Sequence, residues 1–372
     1  MTDTLPPPDQ IEGAPHPRET ARLFGQDAAE AAFLSAFNAG RLHHGWLLTG
    51  PRGVGKATLA WRIARFLLAT PDAEDDGLFG APPPPETLDV DPEHPVAHRL
   101  LAGSDPGLAS ITRSVNEKTG RMRDEIVVDD IRALNRFFGL SAADGGRRVV
   151  IVDCADEMNV SAANALLKML EEPPARTTLL LISHRPSGLL PTIRSRCRTL
   201  RLSPLGPEDM RAALEQAGAE PPEQAEHLAA LAAGSVGAAL RLTALGGLRI
   251  YAELMAVLNS LPRLDRQRAL ALAEAAAQRG AADRFDLLLD LIDTALVRLA
   301  RTGATGQPPV PEAASGEAEI LARLSPGPDR ARAWADAAAE ITARSRHGRA
   351  VNLDPAALVL DTVFKMQKTA AG

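Results

Sequence analysis

Lysine is nearly absent from this 372-residue chain. Lys56, Lys118, Lys168, Lys365 and Lys368 are the only five, and the other thirty-six of its forty-one basic residues are Arg. A lysine that sits inside a motif is therefore worth reading closely. Cysteine is scarcer still: Cys154 and Cys197 are too few for a disulfide scaffold or a four-cysteine zinc site. Aromatic residues make up 3%, so the core must be built mainly from Leu, Ala, Val and Ile. No apolar run reaches 18 residues, which excludes a membrane-spanning helix. The opening MTDTLPPPDQ lacks a basic segment followed by an apolar one, so no secretory leader is expected and a cytoplasmic location is the default. The formal net charge is -6 and no basic tail occurs, which argues against autonomous DNA binding by bulk charge. With 45% hydrophobic and 24% charged residues, the composition is that of a globular protein, long enough for two or three domains.

Residues 1–20 are Pro-rich and polar and read as an extended arm. Helices are expected over 26–40, 55–68 and 95–103, with a strand over 43–50. Residues 71–93, acidic and containing PPPP, read as a loop. A short extended piece at 126–128 precedes a helix over 131–138 capped by Asp129. RRVVIVD (147–153) and TTLLLIS (177–183) are strongly apolar strands, with another near 200–202. Between the first two lies an amphipathic helix over 161–172, stopped by Pro173 and Pro174. Apolar strands alternating with helices predict a parallel sheet covered on both faces. Beyond 204 only helices are expected: 207–217, 223–233, 235–244, 249–260, 264–278, 282–301, 328–345 and 354–367. The expected division is an α/β nucleotide-binding-like domain (1–203), a small helical lid (204–245) and an all-helical C-terminal domain (246–372).

Residues 50–56, GPRGVGK, follow a predicted strand and open a predicted helix, the context a phosphate-binding loop requires. Gly50, Gly53 and Gly55 would let backbone N–H groups wrap phosphate oxygens, and Lys56 would reach the β- and γ-phosphates. The motif then needs a hydroxyl for Mg²⁺. Ala57 stands there, and Thr58 comes one place late, turned about 100° around the helix. At the end of the apolar strand Asp153 could help hold the metal, but Cys154 stands where an ATPase would carry a water-activating carboxylate. Cys154 reads as a small buried side chain, without an evident base beside it. His94 and His98 are four apart but have no further ligands in the sequence around them, so they read as solvent-facing and no metal site is expected.

FGQ (24–26), LLTGPRGVGK (47–56), IVDCADEMNVSAANALLKMLEEPP (151–174) and LLPTIRSRC (189–197) together resemble the AAA+ clamp loader subunits of bacterial DNA polymerase III. The combination of NALLKMLEEPP and a following SRC is the specific part of that resemblance. It implies an AAA+ domain, a three-helix lid and a helical collar. It also implies that Ser195 and Arg196 form a trans-acting arginine finger, and that Ser183 takes the sensor 1 position at its strand end. Other hallmarks of the family's motors are missing. Gly237 stands where a sensor 2 Arg would be, Arg241 comes four residues later, and no cysteine of a zinc module occurs in 71–110. The resemblance thus implies a stator-like member of the loader, with no polymerase or ATPase activity of its own. No cofactor is required on this reading, and ATP or ADP would be held, if at all, without hydrolysis. The implied partners are the gamma/tau motor subunits, the delta subunit and, through the complex, the sliding clamp and primed DNA. Two rival readings stay open: an active gamma-like ATPase, supported by Lys56, Asp153 and Ser183, and a purely structural collar protein.

Overall fold

A computed structural model describes residues 10, 14–70, 83–140, 146–219, 224–278, 280 and 282–372. The predicted loop at 71–93 therefore lies partly outside the described residues. The chain divides into two compact units, residues 1–218 with 234–237, and residues 219–233 with 238–372.

The first unit holds α1 (Asp27–Asn38), β1 (Gly45–Thr49), α2 (Lys56–Ala69), α3 (Pro95–Leu101), β2 (Leu108–Ile111) and α4 (Val128–Leu140). It continues through β3 (Arg148–Val152), α5 (Val160–Glu171), β4 (Thr177–Ser183), α6 (Pro191–Ser195), β5 (Arg198–Arg201) and α7 (Pro207–Gln216). The five strands form one parallel sheet in the order β2-β3-β4-β1-β5. β1 and β4 are buried along their whole length. Side chains alternate between two cores, as a period of two requires. Trp46, Leu48, Val149, Ile151, Leu180 and Ile182 pack on one face with α1 to α3. Leu47, Val150, Val152, Leu179 and Leu181 pack on the other with α4 to α6. This is the covered parallel sheet expected from the apolar strands.

Three local expectations change. β2 was not expected: of its four residues only Ile111 is buried, and it exists through its ladder with β3 at the sheet edge. Asp129 is not a cap. α4 starts at Val128, and Asp130 instead accepts a hydrogen bond from the Val127 N–H at 2.9 Å, closing the first turn from inside. The described end of the N-terminal arm is docked rather than extended. His16 is buried edge-on against Trp61, and Arg62 and Arg65 of α2 donate to the carbonyls of Ala21 and Arg18.

The second unit is helical: α8 (Ala225–Ala232), most of α9 (Val236–Leu245), α10 (Gly247–Asn259), α11 (Arg266–Ala276), α12 (Ala282–Thr305), α13 (Glu317–Leu324), α14 (Pro328–Ala350) and α15 (Pro355–Ala371). α13 was not expected, although Glu317, Ile320, Leu321 and Leu324 give it a helical spacing and are all buried. Glu317, 1% exposed, accepts from Tyr251 Oη (2.6 Å), Arg298 Nε (2.7 Å), Arg298 Nη2 (2.8 Å) and the Ala313 N–H (2.5 Å). A buried carboxylate persists only when paired this fully, and the knot ties α10, α12 and α13 together. Among the described residues no helix is long and apolar enough to cross a membrane.

Candidate functional site

In a parallel sheet the loops that follow the strands gather at one edge. Here that edge carries the residues after β1, β3 and β4: the 50–56 loop, Asp153 and Ser183 with its neighbour His184. Gly50, Gly53 and Gly55 all have positive φ, the backbone a phosphate loop needs. Lys56, the first residue of α2, is 3% exposed. Its Nζ turns back on the loop and donates to the carbonyls of Gly50 (2.7 Å) and Pro51 (2.5 Å). Burial holds its pKa down to about 8, against the pull of nearby Asp153. Arg52 pairs with Glu157 at 3.2 Å, and Arg113 meets the same carboxylate at 3.2 Å. Thr58 lies half-buried on α2.

The loop is also held from outside. Gly237 N–H donates to Gly53 O at 3.1 Å, and a Cβ on Gly53 would overlap Ser235 Oγ and come within 2.9 Å of the Gly237 backbone. The short segment 234–237 thus packs on the 50–56 loop through its backbone. Arg241, in the second unit, pairs with Asp290 of the same unit at 2.7 Å. Gln26 of the FGQ motif is 4% exposed and clips the loop to the chain after β5. Its amide donates to Val54 O (3.2 Å) and Ser203 O (2.8 Å), and its carbonyl accepts from the Ser203 N–H (3.1 Å). That role was not legible in the sequence.

Beyond β3, Asp153 Oδ1 accepts from the Cys154 N–H at 2.9 Å, and Cys154 itself has φ +55. Asp156 and Glu157 lie in the single turn that follows, as expected. Asp156 Oδ1 accepts from the His184 N–H at 3.0 Å. Burial works to raise Asp156, but that bond and the neighbouring Ser183 hydroxyl hold it below the usual carboxylate range. Ser183 is fully buried. One sequence reading is corrected here: Cys154 does have a base beside it, His184 Nε2 at 3.2 Å from its Sγ. Burial nonetheless pushes the thiol up, and burial together with Lys56 and Arg52 pushes His184 down to about 4. Both groups are neutral at pH 7, so the pair does not make a thiolate nucleophile. His94 is not simply solvent-facing either: its Nδ1 caps α3 by accepting from the Val96 N–H at 3.2 Å.

Arg196 sits at the opposite edge. It follows α6 and precedes β5, whose Arg198 is in register with Trp46 near the start of β1. Its Nη1 donates to Thr192 O at 3.1 Å and its Nη2 lies 2.9 Å from Glu171 Oε1. The Ser195 hydroxyl donates to the same Thr192 carbonyl at 3.1 Å. Cys197 is pushed up to about 12 by burial and is inert.

A family model described as DNA polymerase III, delta subunit, matches residues 25–206, the stretch that contains both edges. The match covers just under half of the chain. The delta' subunit of DNA polymerase III from Pseudomonas aeruginosa is 39% identical over 226 residues, 60% of this chain and 62% of that protein. The Escherichia coli K12 delta' subunit is 31% identical over 221 residues, 56% of this chain and 57% of that one. The gamma/tau subunit of Mycobacterium tuberculosis H37Rv is 33% identical over 205 residues, 53% of this chain and 31% of that one. The matches thus span about three fifths of the delta' relatives and a third of the gamma/tau relative. The matched stretch holds the 50–56 loop, Asp153, Ser183, Ser195 and Arg196, and leaves the helices after 206 outside it.

Proposed function

We infer that this chain is a delta'-type subunit of a DNA polymerase III clamp loader, which acts on a neighbour's nucleotide rather than on its own. The observation that carries this reading is the separation of Lys56 and Arg196 by the sheet. The backbone of Arg196 packs against Gly45, at the start of β1, whereas the phosphate loop begins at Gly50, past its end. At roughly 3.3 Å per residue a strand of this length puts the two sites on the order of 15 Å apart, on opposite edges. Arg196 therefore has no use for a nucleotide in its own chain. Half-exposed, it can meet one held by an adjoining gamma/tau motor subunit, where a planar, permanently charged guanidinium neutralises charge developing on the γ-phosphate. Ser195, bonded back to Thr192, fixes the turn that presents it.

The chain's own loop suits a stator. Ala57 offers no hydroxyl, Cys154 offers no carboxylate and Gly237 offers no cation. A nucleotide, if held there, would be held without turnover. On this reading residues 1–203 form the AAA+ domain, 204–245 the lid, and 246–372 the collar that joins the motors and the delta subunit. Motor ATP binding then holds the sliding clamp open at primed DNA, and hydrolysis releases it.

The test is reconstitution with gamma/tau and delta subunits. Arg196→Ala is expected to assemble normally by size-exclusion chromatography and to lose DNA-stimulated hydrolysis at the adjoining site together with clamp loading. Intact hydrolysis and loading in that variant would overturn the reading.

A further inference from the structure

Arg196 is held within its own chain by a carboxylate that the sequence did not single out. Glu171 is the last residue of α5 and Arg196 the first after α6, and the two side chains meet at 2.9 Å. Their backbones are fixed by packing. A Cβ on Gly45 would lie 2.9 Å from Leu170 Cδ2 and 3.1 Å from Arg196 O, so the ends of α5 and α6 close on Gly45 with no room for a side chain. Leu170 and Ile193 are buried in the same core beneath them. The ion pair above this rigid base is different in kind. Its two side chains are 37% and 43% exposed, against 12% and 1% for Arg298 and Glu317. An exposed pair of this sort is weak and exchanges readily with other partners. The C-terminal carbonyls of α5 also disfavour a carboxylate at Glu171 unless a cation stands by, and Arg196 supplies it.

We propose that Glu171 is a positioning residue that holds the Arg196 guanidinium against its own subunit at rest. The neighbour's γ-phosphate must then displace a carboxylate to engage it. No bond is made or broken in this step: the guanidinium exchanges one anionic partner for another. Glu171 thereby restrains hydrolysis until the complex closes on DNA. The proposal rests on the trans-acting reading of Arg196.

The experiment compares ATP hydrolysis by the full reconstituted complex, with and without primed DNA and clamp, for wild type, Glu171→Gln, Arg196→Ala and the double variant. Glu171→Gln is expected to raise kcat without DNA by about threefold, the factor implied by an exposed pair, with KM for ATP unchanged. The double variant is expected to match Arg196→Ala, because the gain acts through the guanidinium. A DNA-free rate that stays level or falls in Glu171→Gln would overturn the holding role. If Arg196→Ala alone leaves hydrolysis intact, the finger reading fails instead, and the two failures are distinct. Glu171→Asp guards against an assembly defect in Glu171→Gln: its shorter reach is expected to give a smaller rise of the same kind, and no rise would count against the proposal.

Discussion

The two edges of the parallel sheet hold Lys56 and Arg196 in opposite ways. At the edge after the strands, Lys56 is buried and donates to its own loop, Arg52 pairs with Glu157, and the segment 234–237 packs on Gly53. At the edge before the strands, Arg196 lies half-exposed over a short helix in one weak ion pair. The first arrangement turns its lysine inward and makes a structural joint around Gly53, with Arg52 left 71% exposed at its rim. The second leaves charge available to something outside the chain. The stretch matched by the family model, residues 25–206, covers both, so the difference lies in how each edge is closed.

The contrast is sharpest in what Arg196→Ala should do. An arginine finger supplied in trans is worth about 10³ or more in kcat, so the adjoining site should be all but silenced while folding is unaffected. A loss of stability comparable to the loss of rate would mean that Arg196 is structural after all. The complementary substitution is Gly53→Ala. Its φ of +72 and the crowding by Ser235 and Gly237 should destabilise the first unit by about 2–3 kcal/mol in urea unfolding. A change of only a few tenths would show that 234–237 does not pack on the loop, and the picture of a closed joint would fall.

The sequence made one of these edges far more readable than the other. The central strands were legible because β1, β3 and β4 are apolar runs buried on both faces, whereas β2 depends on a ladder that a four-residue stretch does not announce. The phosphate loop was legible from the order strand, glycines, lysine, helix. Its closure was not, since Gln26, Ser203, Ser235 and Gly237 meet it from positions far apart in the chain. Arg196 was found through resemblance alone, and Glu171, twenty-five residues earlier, could be joined to it only by the fold. His184 follows Ser183 directly, so its place at the strand end was readable, but its meeting with Cys154 was not. Asp129 was misassigned because the helix starts three residues before the expected 131, at Val128, which puts Asp129 and Asp130 both inside its first turn.

A smaller effect tests how dry the closed edge is. The His184 imidazole is held at about 4, whereas its ordinary value is 6.5. The unfolded chain therefore takes up this proton as pH falls below 6.5, and the folded chain does so only near 4. The stability that depends on a neutral His184 is complete above 6.5 and is lost progressively between 6.5 and 4. The urea midpoint of wild type should fall across that window more steeply than that of His184→Asn. Parallel profiles would mean that water reaches the imidazole and that the edge is open.

The smallest expected effect is the most telling for the comparison. A working phosphate loop depends on its lysine, so in a motor Lys56→Ala would abolish turnover. On the proposed reading, the groups that would complete the chemistry are replaced by Ala57, Cys154 and Gly237. In the reconstituted complex, Lys56→Ala should leave DNA-stimulated hydrolysis unchanged under conditions where Arg196→Ala silences the adjoining site. An equal loss in both variants would put chemistry at both edges of the sheet and make this chain a motor with a nucleotide of its own. A loss confined to Arg196→Ala would leave one edge as a joint and the other as the working surface, with the rare lysine structural and one of the thirty-six arginines functional.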